Sequence, residues 1–244
     1  MCVDIKDKSM WDKFNVPQVI SLYDRKDRQS QVIEQSKQLG LKINFNLVEK
    51  DKESGKKGCF ESHVNLCKLH MHQKYMFVLE DDFELNVQDE NILKEALEEA
   101  YQFIQKKDWD LLYLGVLPNF WSANSYKQSN HIFKTVPFAC THAYFISQTY
   151  MQEVATWKYS NKAIDVMYRE CKNAYAIYPQ IFKQRESKSD IVHFITPCPA
   201  FFKDVPVNFS NWYAHNVGVS LINILFVLLL ISFILKYRKH IIPS

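Results

Sequence analysis

Short apolar segments and longer amphipathic segments alternate along this chain of 244 residues. The short segments have the length and composition of buried strands, and they comprise residues 18–23, 43–48, 76–79, 110–115, 142–147 and 174–182. Helical periodicity lies between them: a helix that Gly40 closes, a helix over 61–72 after a loop at 54–58, an apolar face from Ile92 to Ile104, and a helix from 148 to about 157. This alternation predicts an α/β sheet flanked by helices.

The C-terminal region has a different pattern, a continuous apolar segment at 217–235 that contains no charged residue. A helix of roughly 20 residues crosses a hydrocarbon core of ~30 Å. Trp212 and Tyr213 precede the segment and Tyr237 follows it with a basic cluster, as interfacial anchors do. The pattern predicts one transmembrane helix, and the alternative is a buried or docked terminal helix.

The predicted anchor gives a domain organisation in five parts: an N-terminal extension at 1–15, the α/β domain at 16–200, a juxtamembrane segment at 201–216, the transmembrane helix at 217–235 and a basic tail at 236–244. The expected localisation is a single-pass membrane protein with a C-terminal anchor. The side of the membrane stays open. The basic tail favours a cytosolic C-terminus, whereas residues 1–15 lack the apolar core of a secretory signal, which favours a cytosolic body.

The charge distribution argues against a nucleic-acid partner. The formal net charge is +3, but Lys236, Arg238 and Lys239 all follow the last apolar segment. The body that remains is close to neutral, so it has no basic surface field of the kind that nucleic-acid binding requires. The six cysteines show no Cys-x-x-Cys spacing, and Cys59 and Cys67 are typical of buried thiols.

Three consecutive acids, Glu80, Asp81 and Asp82, follow the apolar strand at 76–79. Ligands of open α/β sheets bind at the carboxyl ends of strands. Adjacent carboxylates repel one another unless a cation or strong donors lie nearby, and a hard divalent ion prefers oxygen ligands. The acidic turn is therefore a candidate metal site, and the alternative is a solvated acidic loop.

Other chemistry-bearing residues give weaker signals. His70 and His72 do not share a helix face with each other, which disfavours a histidine metal site with His63. Asp165 lies between two apolar residues, where a helix-capping role competes with a catalytic one. Phosphate-binding glycine loops, dinucleotide fingerprints and nucleophile-elbow serines are absent from the sequence.

The ordered set of short motifs resembles glycosyltransferase family 25, which includes lipopolysaccharide and procollagen galactosyltransferases. The matching blocks are Val19-Ile20-Ser21-Leu22 with the following Asp24–Arg28 turn, Gly58-Cys59-Phe60-Glu61-Ser62-His63, Val78-Leu79-Glu80-Asp81-Asp82, the Trp109–Gly115 strand, Thr141-His142-Ala143-Tyr144, Asp165, Tyr178-Pro179, Gln184 and Ser189-Asp190-Ile191. Ser21 replaces the family's Asn, and Lys57 replaces an acid, which affects details of nucleotide contacts.

The resemblance implies a nucleotide-sugar glycosyltransferase fold of the A type, a Rossmann-like mixed sheet flanked by helices. It also implies an inverting, metal-dependent transfer of a hexose, galactose first, from a UDP-sugar to a hydroxyl of a glycan, a lipid-linked sugar or a protein. The alternatives are another UDP-sugar donor, such as UDP-glucose, or a catalytically inactive, membrane-tethered carbohydrate-binding or scaffold protein.

The same resemblance assigns roles to residues of this chain. Mn²⁺ or Mg²⁺ would be the cofactor, held by Glu80 and Asp82. Asp165 is the expected general base, with Asp190 as second candidate. The expected donor-binding residues are Arg25, Arg28, Ser62, His63 and Asp81. The expected acceptor-side residues are Thr141, His142 and Gln184.

Overall fold

The computed structural model describes residues 5–87, 89–118, 126–185, 200–217 and 219–241. The strands in these ranges are β1 (Gln18–Leu22), β2 (Asn44–Val48), β3 (Tyr75–Glu80), β4 (Phe83–Leu85), β5 (Leu111–Pro118), β6 (Tyr126–Lys127), β7 (Ile132–Lys134), β8 (Pro137–Ser147), β9 (Ala174–Ile177) and β10 (Phe182–Gln184). The α-helices are α1 (Lys26–Leu39), α2 (Gly55–His70), α3 (Glu90–Ile104), α4 (Gln148–Val154), α5 (Ile164–Tyr168), α6 (Ala200–Asn216) and α7 (Val219–Ile241), and a 3-10 helix precedes them at Lys8–Trp11.

Eight strands form one mixed sheet in the order β2-β1-β3-β8-β5-β9-β7-β6. β1 pairs in parallel with both β2 and β3, whereas β8 runs antiparallel to β3 and to β5. β4 and β10 form a separate two-stranded sheet. The mixed α/β sheet is as the hydrophobic pattern predicts, because its central strands are buried on both faces and therefore read as continuous apolar runs.

Local capping interactions determine where the helices begin and end, and the apolar pattern alone does not locate all of these ends. α1 ends at the expected position, with Gly40 in the left-handed conformation at φ 70°. α2 begins at Gly55 rather than at 61, because the Ser54 side chain accepts from the Lys57 amide and caps the helix. The loop predicted at 54–58 is therefore wrong, and Cys59 and His63 lie on one continuous helix.

The apolar run at 174–182 forms two strands instead of the one that was predicted. β9 belongs to the large sheet, and β10 leaves it to pair with β4, with Gln184 opposite Phe83. This second pairing brings β10 beside the segment that follows the acidic turn. The departure from the large sheet thus positions Gln184 near Asp82.

Two apolar clusters cover the two faces of the sheet. One includes α3 and the N-terminal residues Met10, Trp11 and Phe14, so part of the region at 1–15 packs in the core. The other includes α2, α4 and α5. Within it, Phe60 and Tyr168 are fully buried, and the Tyr168 ring packs against Tyr144 of β8. The sheet edge that carries the acidic turn is therefore held from both sides.

The predicted transmembrane helix at 217–235, and with it the single-pass localisation, is wrong. None of the helices in the described part of the chain is long and apolar enough to cross a membrane. The apolar segment forms α7, whose described side chains from Ile224 to Leu235 are exposed. The region assigned to a juxtamembrane segment forms α6, which packs on β5 and donates from Asn211 Nδ2 to the Val116 carbonyl at 2.7 Å.

Candidate active site

The acidic turn joins β3 to β4 at the carboxyl edge of the parallel strands β1 and β3. Glu80 is the last residue of β3 and pairs with Ile20 of β1, so Ser21 follows directly beside Asp81. Asp81 and Asp82 are buried, at 5% and 7% exposure. The solvated acidic loop is excluded by this burial, since the last two carboxylates are withdrawn from water.

Glu80 is held by donors from two elements. Its Oε1 accepts from Thr141 Oγ1 at 2.5 Å and from His63 Nε2 at 3.2 Å. Burial raises the pKa of Glu80, but the hydrogen bonds from His63 and from the Thr141 hydroxyl bring that pKa below its ordinary value. Glu80 is therefore kept as a carboxylate.

A chain of hydroxyl groups orients His63. Its Nδ1 lies 2.6 Å from the Tyr144 hydroxyl, which lies 3.2 Å from the Tyr168 hydroxyl. Because Glu80 is ionised, the Nε2–H donates to it, and Nδ1 then accepts the Tyr144 proton. The predicted donor-binding His63 is 1% exposed, so its ring is withdrawn from solvent and contacts the half-buried Glu80.

Asp81 is satisfied within the protein. Ser21 Oγ donates to its Oδ2 at 2.7 Å, and Arg28 Nη1 donates to its Oδ1 at 2.6 Å. The serine that replaces the family's asparagine thus takes part in the site. Asp81 in turn positions Arg28, which also lies 3.7 Å from Asp82 Oδ2.

Asp82 has the opposite environment from Glu80. Gln184 Nε2 donates to its Oδ2 at 2.9 Å, but its buried Oδ1 has no hydrogen-bond partner among the residues that the structure describes. Burial raises the pKa of Asp82 to about 7, and the negative charge of Glu80 adds to the rise. A buried carboxylate oxygen without a donor is costly, and a cation would remove that cost.

Gly115 allows β10 to approach the site. A Cβ at this position would lie 2.1 Å from the Phe182 carbonyl oxygen and 2.4 Å from His142 Nε2. His142 Nε2 donates to the same carbonyl at 3.2 Å, and burial lowers the pKa of His142. The imidazole is thus neutral and fixed, and β10 is held where Gln184 reaches Asp82.

Asp165 lies in the first turn of α5, and its Oδ1 accepts from the Val166 amide at 2.8 Å. After burial itself, Glu80, Asp165 and Asp82 are the charges that raise the pKa values of the Cys59 and Cys140 thiols. The charge of Asp165 therefore acts on the same two thiols as the charges of Glu80 and Asp82.

Two further predicted residues, Arg25 and Ser62, make contacts with residues outside the acidic turn. Arg25 makes a two-point contact with Asp27. Ser62 Oγ donates to the Gly58 carbonyl at 2.7 Å and lines a cavity of about 510 Å³ beside the end of β2. Asp190 lies outside the described residues.

The side chains fit the divalent ion that the resemblance implies. The observation that supports this fit is the unpartnered, buried Asp82 Oδ1 beside the ionised Glu80. Oxygen donors of this kind suit Mg²⁺ and Mn²⁺. Asp82 offers a free ligand oxygen, and Glu80 supplies a second carboxylate nearby.

Sequence reasoning missed three contributors to this site. Tyr144 and Tyr168 were not singled out, because a buried tyrosine in an apolar strand or helix is typical of core packing. Cys140 has a φ of 80°, a conformation that is uncommon outside glycine. Irregular pairing between β5 and β8 accompanies it, and neither feature has a marker in the sequence.

A family model described as glycosyltransferase family 25 (LPS biosynthesis protein) matches residues 46–168. No curated protein matches the chain. Among solved structures, HddC from Yersinia pseudotuberculosis is 14% identical, with 72% of this chain and 76% of that chain covered and a TM-score of 0.38. An apo UDP-glucose pyrophosphorylase is 13% identical, with 73% and 77% covered and a TM-score of 0.42.

Proposed function

Because the chain belongs to glycosyltransferase family 25, we propose that it transfers a hexose from a UDP-sugar to an acceptor hydroxyl with inversion. Family membership supports sugar transfer in general. Galactose is the first donor sugar to test, and UDP-glucose is the second. A glycan hydroxyl is the first acceptor class, followed by a lipid-linked sugar and a protein side chain.

The observation that carries the proposal is the unpartnered Oδ1 of buried Asp82 next to ionised Glu80. Mn²⁺ or Mg²⁺ held by these two acids would neutralise the charge that develops on a diphosphate leaving group. Gln184 and Arg28 orient Asp82 from the opposite side. Thr141 and His63 orient Glu80 and keep it ionised.

Proton transfer requires a base on the face opposite the leaving group. Asp165 is the proposed base, because it is a carboxylate on a separate element, α5, and its charge acts on the same thiols as the charges of Glu80 and Asp82. Its bond to the Val166 amide fixes one oxygen and leaves the other to accept the acceptor's proton. Asp190 remains the second candidate base.

The test measures UDP release from UDP-galactose with and without Mn²⁺, followed by mass spectrometry of the glycosylated acceptor. Asp82→Asn keeps the shape of the side chain and removes its charge, so we expect kcat/KM to fall by about 10²–10³-fold. Glu84→Gln is the matched control, because Glu84 is a nearby acid of β4 that pairs at the surface with Lys183. Unchanged turnover in Asp82→Asn would overturn the metal assignment.

Calorimetry separates a transferase from an inactive carbohydrate-binding relative. A transferase of this design couples UDP and Mn²⁺, so each ligand raises the affinity for the other by the same factor. The coupling should be lost in Asp82→Asn. UDP binding that is independent of Mn²⁺ in the wild type would favour the binding protein.

A further inference from the structure

A second metal-ligating cluster shares Glu80 with the proposed donor site. Ligand atoms of Cys59, His63 and Glu80 all lie within 4.8 Å of one another. We propose that these three residues form a zinc site, and that Zn²⁺ bound there withdraws Glu80 from the donor-metal site and inhibits transfer. The binding claim stands on geometry alone, and only the inhibition rests on the proposed function.

The donor set selects the metal. Thiolate and imidazole ligands favour Zn²⁺, whereas Mg²⁺ and Mn²⁺ prefer carboxylate, carbonyl and water oxygens. Asp82, with Gln184 and Arg28 around it, offers oxygen alone. The two ends of the acidic turn therefore differ in the ions they attract, and Glu80 belongs to both sets.

The distances suit a tetrahedral zinc. Two ligand atoms at about 2.0–2.3 Å from one zinc ion lie about 3.3–3.7 Å apart. His63 Nε2 and Glu80 Oε1 are already 3.2 Å apart. The Cys59 sulfur needs to move by about an ångström to complete the three-ligand set, and water would take the fourth position.

The three ligands differ in burial, which leaves a route for the ion from solvent. His63 is 1% exposed and would bind the ion from the protein interior, whereas Cys59 and Glu80 are half-buried and partly open to solvent. Cys59 and His63 lie on α2 one turn apart, so the helix fixes their relative positions. Only Glu80 comes from another element, β3.

The Tyr144 hydroxyl supports His63 as a metal ligand. On zinc binding, the neutral imidazole moves its proton from Nε2 to Nδ1, and Nδ1–H then donates to the Tyr144 oxygen 2.6 Å away. The Cys59 thiol loses its proton to solvent as the sulfur–zinc bond forms. One proton is released for each zinc ion, and the ligands keep their oxidation states.

Cobalt spectroscopy on the full chain tests the binding. Co²⁺ is added after chelator treatment, and a tetrahedral site with a thiolate should give a sulfur-to-cobalt charge-transfer band that stoichiometric Zn²⁺ removes. Cys59→Ala should lose the band, and Cys67→Ala should keep it, because Cys67 is a buried thiol of the same helix in an apolar cluster. A band of equal strength in Cys59→Ala, or none in the wild type, would overturn the proposal.

A measurement without variants guards against a folding defect in Cys59→Ala. Zn²⁺ should protect Cys59 from alkylation in the wild type, as mapped by peptide mass spectrometry. Tyr144→Phe keeps the ring and removes the hydroxyl, and it should weaken zinc binding by about 10–100-fold. Alkylation of Cys59 at the same rate with and without Zn²⁺ would contradict the site.

Asp82→Asn separates the two sites. This variant removes the ligand that the proposed donor metal needs, but it leaves Cys59, His63 and Glu80 unchanged. We expect the cobalt charge-transfer band to persist in it. Loss of that band would show that the two sites are one. A persistent band, together with no transferase activity in the wild type, would overturn the proposed function but not the zinc site.

The inhibition is tested in the transferase assay with excess Mn²⁺. Micromolar Zn²⁺ should inhibit the wild type and Cys67→Ala, and a chelator should reverse it. Cys59→Ala should need at least about tenfold more Zn²⁺ for the same inhibition. Equal zinc sensitivity of Cys59→Ala and Cys67→Ala would overturn the inhibitory role.

Discussion

Glu80 and Asp82 are separated by one residue, yet they lie in opposite electrostatic environments. Glu80 accepts from Thr141 and His63, which bring its pKa below the ordinary value. Asp82 has one buried oxygen that finds no donor among the described residues, and burial raises its pKa to about 7. The protein's donors thus stabilise the ionised form of Glu80 more fully than that of Asp82.

Gly115→Ala is expected to have the largest effect on stability, and it disrupts the surroundings of Asp82. The new Cβ would overlap the Phe182 carbonyl oxygen at 2.1 Å, so β10 must move and take Gln184 away from Asp82. We expect the free energy of unfolding in urea to fall by about 3 kcal/mol, the upper end for overpacking.

Gly58→Ala is the control for this variant. Its Cβ would meet a side-chain atom, Asp51 Cβ, at 3.0 Å, and alanine also favours the helix by up to about 1 kcal/mol. The loss of stability should therefore be much smaller. Equal losses in the two variants would show that the approach of β10 does not depend on Gly115.

Thr141→Val is expected to weaken the hydrogen bonding that stabilises the Glu80 carboxylate. The change removes one of the two donors to a half-buried carboxylate, so the free energy of unfolding at pH 7 should fall by about 1.5–3 kcal/mol. Because the pKa of folded Glu80 lies below its unfolded value, this contribution is present above the unfolded pKa and is lost as pH falls through the folded one.

The pH dependence distinguishes Thr141→Val from an ordinary buried-threonine substitution. Thr135 is also buried, and its hydroxyl donates to the Val136 carbonyl. Thr135→Val should therefore lose a similar amount of stability at pH 7 and at pH 3. A Thr141→Val loss that stays constant over the same pH range would contradict the role assigned to Glu80.

Asp82→Asn is expected to have the smallest effect on stability, and it should raise the free energy of unfolding rather than lower it. Folded Asp82 binds a proton up to a pH of about 7, whereas the unfolded group releases it near its ordinary pKa. Wild-type stability in metal-free buffer therefore declines as pH rises through this window. About three pKa units at about 1.4 kcal/mol each set an upper limit of ~4 kcal/mol. Because the variant also loses the attraction between Asp82 and Arg28, it should be more stable at pH 8 by roughly 1–2 kcal/mol.

Urea unfolding at pH 5 and pH 8 in the presence of a chelator measures this difference. Glu80→Gln is the companion variant and should be destabilised, because the amide replaces the carboxylate that His63 and Thr141 are arranged to donate to. Destabilisation of Asp82→Asn at pH 8 would contradict an uncompensated carboxylate at this position.

The sequence by itself determined most of the central sheet and the place of the acidic turn. The apolar runs of β1, β3 and β5, the alternating pattern of β2 and the glycine at the end of α1 are local signals, which depend only on neighbouring residues. The order of short motifs also gave the family, which the match over residues 46–168 confirms. The prediction of a membrane anchor was wrong, because an apolar run does not by itself determine whether a helix spans a membrane.

Only the tertiary structure decided how the three acids differ. Ser21, Arg28, Thr141 and Gln184 come from separate parts of the chain, and long-range strand pairing brings them to one sheet edge. Which carboxylate keeps a free oxygen depends on these distant donors and on burial. Coulomb and desolvation energies depend on distance in space rather than along the chain, so three adjacent acidic letters could not reveal that Glu80 is satisfied and Asp82 is not.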